Sequence, residues 1–183
     1  PGFHLPEAAW VAQQAAAHPW IGAMVAHAPL DRGKAVEADL EQLSRHGVLR
    51  GIRQLIQDRA VDYCIQPAFV EGVRLLPRFD LHFELCIYHP QLGAAVELVR
   101  RCPEVRFILD HIGKPGIKDG LMEPWAGQLR ELAALENVVC KMSGLVTEAD
   151  HAAWTREQLR PYIDHVIGCF GFERVLFGSD WPV

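Results

Sequence analysis

Short apolar runs alternate along this chain with longer segments in which apolar residues recur at helical spacing. Six of the runs have the length and the aliphatic content typical of strands buried on both faces of a sheet. They comprise residues 21–26, 48–55, 81–87, 106–112, 138–142 and 175–177. Helices are predicted over residues 7–18, 31–46, 69–76, 92–101, 125–135 and 156–170, with Asp31 as the cap of the second. The pattern therefore predicts a repeated strand–helix unit and a parallel sheet covered on both faces.

Two architectures share this order of elements, an open doubly wound sheet and a closed (β/α)8 barrel. An open nucleotide-binding sheet usually carries a G-x-G-x-x-G loop after an early strand, and the chain contains no such loop. Polar residues instead follow many of the predicted strands, as they do at the catalytic face of a barrel. They are Arg53, His89, Asp110, His111, Ser143 and Asp180. We therefore predict a (β/α)8 TIM barrel.

The length of the chain is short for that barrel. A closed barrel has eight strands and typically about 250 residues, whereas six strands are predicted here in 183 residues. We predict one domain over residues 1–183 that lacks two strands before Pro1 and a closing helix after Val183.

Composition narrows the classes of partner. The net charge is −5 and the basic residues are scattered, which argues against nucleic acid. No apolar run approaches the length of about 20 residues needed to span a membrane. Five cysteines, an odd number without a C-x-x-C pair, indicate reduced thiols and a cytoplasmic protein. The predicted partner is a small-molecule substrate, and a homo-oligomer stays open.

Two predicted strands end in ionisable residues and are followed by proline. Asp180 follows the apolar residues Val175 to Phe177, and His111 ends the run of residues 106–112. Taken singly, Asp180 fits the cap of a following helix and His111 fits a hydrogen-bonded core histidine. In a barrel the two strand ends converge, and there a histidine can bind a metal or polarise a carbonyl while an aspartate takes a proton from water.

Other residues near the strand ends are candidate substrate contacts: Arg53, His89, Lys114, Ser143 and Trp181. Arg53 suits a substrate carboxylate or an ordinary salt bridge. Lys114 either binds the same carboxylate or faces solvent, and Trp181 either contacts the substrate or packs at the rim. Glu84, predicted on the inner face of its strand, is either a pocket residue or half of a buried ion pair. Six other histidines are interpreted as surface or packing residues: His4, His18, His27, His46, His151 and His165.

Five stretches of the sequence resemble, in order, the amidohydrolase superfamily of the amidohydrolase 2 type. They are GIR at 51–53, YHPQL at 88–92, FILDHIGKP at 107–115, CKMSGLVTE at 140–148 and FGSDWP at 177–182. The resemblance is to the sugar-lactonase branch, which contains L-fuconolactonases and 2-pyrone-4,6-dicarboxylate lactonases. It implies a distorted barrel of the metal-dependent hydrolase type, in which the six strands are the third to the eighth.

The resemblance also implies a reaction and roles for two residues. The reaction is opening of a carboxylic ester ring, with Asp180 activating the water and His111 facing it. One divalent metal such as zinc, held by His111 and Asp180, is implied for many members, while metal-free catalysis is implied for several lactonases; both stay open.

One family feature has no counterpart in the chain. The first strand of the family carries a His-x-His pair, and no H-x-H occurs in these 183 residues. The chain is therefore interpreted as a fragment of a longer enzyme or as a polypeptide that is inactive alone. The alternatives to a lactonase are a metal-dependent decarboxylase or amidase of the same superfamily, and a non-catalytic barrel fragment or scaffold.

Overall fold

The computed structural model of the protein describes residues 4–183, in which six parallel strands pair in the order of the sequence. The strands are β1 (Met24–Ala26), β2 (Leu49–Arg53), β3 (His82–Leu85), β4 (Phe107–Leu109), β5 (Val138–Met142) and β6 (Val175–Phe177). Every predicted strand is confirmed. Within the described residues β1 and β6 each pair with one neighbour only, so the sheet is a curled half-barrel.

Helices separate the strands as the apolar pattern predicts. They are α1 (His4–Ala17), α2 (Glu37–Leu43), α3 (Pro67–Val73), α4 (Leu92–Arg101), α5 (Trp125–Ala133) and α6 (Arg156–Phe170). The start of α6 shows why its prediction is correct. The Thr155 hydroxyl accepts a hydrogen bond from the Gln158 amide, and the Gln158 side chain accepts one from the Thr155 amide. These reciprocal bonds satisfy two backbone donors at the start of the helix.

The prediction that Asp31 caps a helix is wrong. Residues Leu30–Val36 form a 3₁₀ segment interrupted at Gly33, and α2 begins only at Glu37. The Asp31 carboxylate instead accepts hydrogen bonds from Gln54 Nε2 and from the Tyr63 hydroxyl, both at 2.9 Å. Burial acts to raise the pKa of Asp31, but these two donors outweigh it and the pKa is lowered. The carboxylate therefore ties the loop after β1 to the loop after β2.

The apolar core lies between the sheet and the helices. Phe69 of α3, Phe83 of β3 and Phe107 of β4 stack edge to face, with ring centroids 5.8 and 6.2 Å apart. Trp125, at the start of α5, is buried and donates from its indole nitrogen to the Ile112 carbonyl at 2.8 Å. Since Phe83 faces the helices, the alternation of β3 directs Glu84 to the concave face.

All six strands are parallel, so their carboxyl ends share one edge of the sheet. The residues that follow or end the strands at this edge include His27, Arg53, Cys86, Asp110, Ser143 and Asp180. No helix among residues 4–183 is long and apolar enough to cross a lipid bilayer.

Candidate active site

His111, Ser143 and Asp180 meet at the carboxyl edge of the sheet. The Nε2 atom of His111 lies 3.4 Å from Asp180 Oδ1, and its Nδ1 atom lies 2.9 Å from the Ser143 hydroxyl. The three residues follow β4, β5 and β6, which are adjacent strands. The prediction that His111 and Asp180 face each other across the strand ends is therefore matched by the geometry.

The backbone around this group is held in an uncommon conformation. His111, Ile112 and Lys114 have φ values of 51°, 51° and 47°, and Asp180 has 58°. A positive φ is uncommon for residues other than glycine and is unfavourable for a β-branched residue such as Ile112. These turns direct the two ionisable side chains toward each other instead of continuing the strands.

Gly144 allows the close approach of the two side chains. Its φ is +62°, and a Cβ atom placed there would lie 2.7 Å from Asp180 Oδ2 and 3.0 Å from His111 Nδ1. Both distances are shorter than ordinary carbon contacts, so any larger residue would push the pair apart.

His111 is held toward its neutral form. Burial lowers the pKa of the imidazole and outweighs the opposite effect of the Asp110 and Asp180 carboxylates. A neutral imidazole has one nitrogen that donates and one that accepts. The Ser143 hydroxyl can do either, so it matches both tautomers of His111.

A cluster of four charged side chains lies on the concave face next to this group. Lys141 Nζ is 2.5 Å from Glu84 Oε1 and 2.9 Å from Asp110 Oδ1. Arg53 Nη1 is 3.3 Å from Asp110 Oδ2 and 3.8 Å from Glu84 Oε2. Glu84 is therefore part of a buried ion-pair network, one of the two roles predicted for it.

The two carboxyl groups that share Lys141 differ in pKa. Burial acts to raise the pKa of Glu84, but the nearby His82 and Lys141 side chains outweigh it and the pKa is lowered. Burial and the charge of Glu84 raise the pKa of Asp110 despite its contacts with Lys141 and Arg53. Of the two carboxyl groups, Glu84 is therefore the one that stays ionised to the lower pH.

A sequence profile described as "Amidohydrolase" matches residues 6–183, which is nearly all of the chain. The chain belongs to the amidohydrolase family.

Three curated relatives carry lactonase names. The chain is 40% identical over 148 residues to L-fucono-1,5-lactonase of Burkholderia ambifaria, a match that covers 80% of this chain and 50% of that protein. It is 26% identical over 191 residues to L-rhamnono-gamma-lactonase of Scheffersomyces stipitis, covering 89% of this chain and 56% of that protein. The chain therefore spans about half the length of the curated relatives that it matches.

A solved structure of an amidohydrolase from Burkholderia multivorans with bound zinc has the same fold. It superposes with a TM-score of 0.87 at 34% identity, covering 97% of this chain and 64% of that chain. The predicted fold class is thereby confirmed: this amidohydrolase chain forms an incomplete (β/α)8 barrel with six strands.

The predicted substrate contacts of this amidohydrolase chain occupy different surroundings. The Arg53 side chain is 41% exposed and forms ion pairs with Asp110 and Glu84. The Lys114 ammonium lies 5.3 Å from the centre of the Tyr88 ring. Trp181 is 85% exposed beside Asp180. His89 begins a 3₁₀ turn that leads into α4.

Donor atoms suited to a metal are present at the same edge. Two ligands bound tetrahedrally to one zinc ion at about 2.1 Å lie about 3.4 Å apart, and this is the separation of His111 Nε2 from Asp180 Oδ1. Cys86, Asp110 and His111 also hold donor atoms within 4.8 Å of one another. That trio suits an ion less well, because burial raises the pKa of the Cys86 thiol to about 11 and Asp110 is already paired with two cations.

Sequence reasoning missed three features of the site. Lys141 was not among the predicted site residues, yet its ammonium is the partner of the Glu84 carboxylate. His27, interpreted as a surface or packing residue, follows β1 and lines a cleft of about 480 Å³ with Arg53. Its position after a strand was the available signal. Glu148 pairs with Lys114 at 3.7 Å, although it lies 34 residues away in the chain and nothing in the local pattern indicates the contact.

Proposed function

We propose that this protein hydrolyses the ester ring of a sugar-derived or related carboxylated lactone. The observation that carries the proposal is the His111–Asp180 pair, which lies at the mouth of the half-barrel with Ser143 on the other imidazole nitrogen. The names of the three curated relatives describe lactone hydrolysis and support this choice among the reactions of the family.

Asp180 is the proposed general base. Its carboxylate takes a proton from water, the water oxygen bonds to the lactone carbonyl carbon, and the carbonyl electron pair moves to the oxygen. The resulting oxyanion collapses, the ring C–O bond breaks, and the proton passes from Asp180 to the departing alkoxide. The product is an open-chain hydroxy acid, and the Asp180 carboxylate is regenerated.

His111 acts in its neutral form in this proposal. With Ser143 donating to Nδ1, the Nε2–H group points toward Asp180 and can donate to the oxygen of the lactone carbonyl. With the other tautomer, Nδ1–H donates to Ser143 and the free Nε2 lone pair can bind a metal. The orientation of the ring is the same in both cases because Ser143 holds it.

A divalent metal fits the second tautomer. His111 and Asp180 would hold it, and when bound it would polarise the carbonyl and make water more acidic. The zinc in the similar solved structure supports this arrangement. A lactone is also more reactive than an amide, so a positioned base and hydrogen-bond donors suffice for ring opening without an ion.

Five residues around the pair are the proposed substrate contacts. Arg53 offers the guanidinium donors that its ion pairs leave free to a carboxylate of the substrate. The exposed Trp181 ring offers an apolar face beside Asp180. Ser143, His89 and Lys114 complete the rim of the site on the neighbouring strands.

The test is the variant Asp180→Asn in the intact protein. We expect kcat for aldonolactones to decrease about 1,000-fold, because loss of a general base removes about 10²- to 10⁴-fold of rate. Asp164→Asn is the matched control, since Asp164 lies on the surface of α6 in an exposed pair with Arg160. Near-normal kcat in Asp180→Asn would rule out the mechanism.

A chelator separates the two arrangements of His111. Activity that is lost on chelation and restored by zinc assigns the metal-bound arrangement, and unchanged activity assigns the metal-free one. Strict metal dependence combined with no hydrolysis of any aldonolactone would instead favour a decarboxylase or amidase of the same family.

A further inference from the structure

A cleft of about 430 Å³ is lined by residues that closely follow His111 and Asp180 in the chain, namely Lys114 and Val183. It lies between the segments that follow β3, β4 and β5. Its lining includes Tyr88, Lys114, Thr147, Glu148, His151 and Trp154. Two of these residues, His151 and Trp154, belong to no motif in the sequence that suggested a function.

The walls of the cleft are attached directly to the residues of the pair. The Lys114 amide donates to the His111 carbonyl at 2.9 Å. The Thr147 hydroxyl donates to the carbonyl of Gly144, the residue that contacts both members of the pair. The cleft is therefore built on the same segments that carry His111 and Gly144.

The lining combines aromatic faces with charged and polar groups. Tyr88 and Trp154 are 40% and 42% exposed, so each presents part of a ring to the cleft. Lys114 lies between the Tyr88 ring, at 5.3 Å, and Glu148, at 3.7 Å. His151 Nε2 donates to the Thr147 carbonyl at 3.0 Å, which leaves its Nδ1 available for a hydrogen bond with a ligand.

This combination suits a molecule that is apolar on one face and rich in hydroxyl groups at its edges. Carbon-bound hydrogens of a sugar pack against an aromatic ring, while hydroxyl groups form hydrogen bonds with carboxylate, ammonium and imidazole groups. An unsubstituted lactone has the apolar part but no hydroxyl groups for Glu148, Lys114 and His151.

We propose that this cleft binds the hydroxylated part of the lactone, remote from the carbonyl, and so determines the preference for sugar lactones. Trp154 provides the stacking face and Glu148 accepts hydrogen bonds from substrate hydroxyls. The proposal rests on the lactonase function proposed above and adds the residues that select the substrate.

The test compares two lactones in the intact protein, L-fucono-1,5-lactone and unsubstituted δ-valerolactone. For Trp154→Ala we expect KM for the sugar lactone to rise about tenfold, as loss of one aromatic contact implies. KM for δ-valerolactone should change less than about twofold. The matched control is Trp20→Ala, because Trp20 is 81% exposed and precedes β1 at the opposite edge of the sheet.

A second variant guards against a folding defect in the first. Glu148→Gln keeps the shape of the side chain and should raise KM for the sugar lactone while leaving δ-valerolactone unaffected. If the wild type hydrolyses both lactones and neither variant changes their ratio of kcat/KM, the cleft proposal is wrong and the proposed function stands. If the wild type hydrolyses neither lactone, the proposed function itself is wrong.

Discussion

Asp110 and His111 are consecutive in the chain, yet their side chains belong to two different networks. Asp110 is fully buried and its carboxylate contacts two cations, Lys141 and Arg53. His111 faces one carboxylate, Asp180, and one hydroxyl, Ser143, at the open edge of the sheet. The positive φ of His111 separates the directions of the two side chains.

The two networks differ in how many of their charged and polar side chains already have a close partner within the network. In the buried cluster the carboxylates of Glu84 and Asp110 each have the Lys141 ammonium within 3 Å, so neither carboxylate is available to act on a ligand. In the pair, the 3.4 Å separation between His111 and Asp180 leaves both side chains able to act on a third group. We infer that the cluster stabilises the concave face and that the pair carries the chemistry.

Lys141→Met should have the largest effect on stability, and it tests whether the buried cluster has a structural role. Removing the ammonium leaves Glu84 and Asp110 buried and close together with Arg53 as the remaining cation. Breaking a buried ion pair on one side costs about 3–5 kcal/mol, so we expect the free energy of unfolding to fall by about 4 kcal/mol. Urea denaturation at neutral pH measures it.

The decrease in the free energy of unfolding caused by Lys141→Met should depend on pH. The pKa of Glu84 is lowered in the folded protein, so its contribution to stability is present above the unfolded pKa of 4.5 and is lost as the pH falls toward the folded pKa. The gap between wild type and Lys141→Met should therefore narrow below about pH 4.5. Arg100→Met is the control, because the Arg100–Glu131 pair is half exposed and should contribute less than about 1 kcal/mol. Equal losses in the two variants would contradict a structural role of the cluster.

The strands and the meeting of His111 with Asp180 could be predicted because both follow from local signals. Apolar runs mark buried strands, and parallel strands bring their ends to one edge whatever the loops do. The identity of each strand-end residue is then read directly from the sequence.

The rest depends on contacts between residues that are distant in the chain. Aspartate is a common helix cap, but the Asp31 carboxylate binds Gln54 and Tyr63 instead of a helix start. These two partners lie 23 and 32 residues away in the chain. Ile112 adopts a left-handed backbone conformation, which is unfavourable for a β-branched residue, and no local sequence pattern predicts it. Lys141 and Glu84 meet across β4, which requires the curvature of the sheet to be known.

Gly144→Ala tests the geometry of the pair without changing any charge. The added Cβ would lie 2.7 Å from Asp180 Oδ2, so the carboxylate must shift. A displacement of about 1 Å at a reacting group can cost about 100-fold in rate, and we expect kcat to decrease by about that factor.

Gly120→Ala is a matched control for the backbone of Gly144. Gly120 has a φ of +66°, close to the +62° of Gly144, but a Cβ there would contact nothing within 4 Å. Each variant should lose about 1 kcal/mol of stability from the left-handed conformation, and Gly144→Ala should lose more because its Cβ also meets Asp180 and His111. Only Gly144→Ala should lose activity, and similar kcat values in the two variants would show that the close approach is irrelevant to the chemistry.

Ser143→Ala should have the smallest effect on the rate, because it removes one hydrogen bond and no charged group. A net contribution of about 1 kcal/mol for such a bond corresponds to a decrease in kcat of about fivefold.

Burial keeps the pKa of His111 below 6.5, so the wild-type rate should persist at pH values where an exposed histidine would be charged. Without the Ser143 hydroxyl the imidazole can rotate toward solvent and Asp180, which favours the charged form and should move the acidic limb of the pH–rate profile to higher pH. Ser44→Ala, at the exposed end of α2, should change neither quantity. An unchanged pH profile in Ser143→Ala would mean that His111 is oriented by its backbone alone, and that the hydroxyl belongs with the structural contacts of the buried cluster.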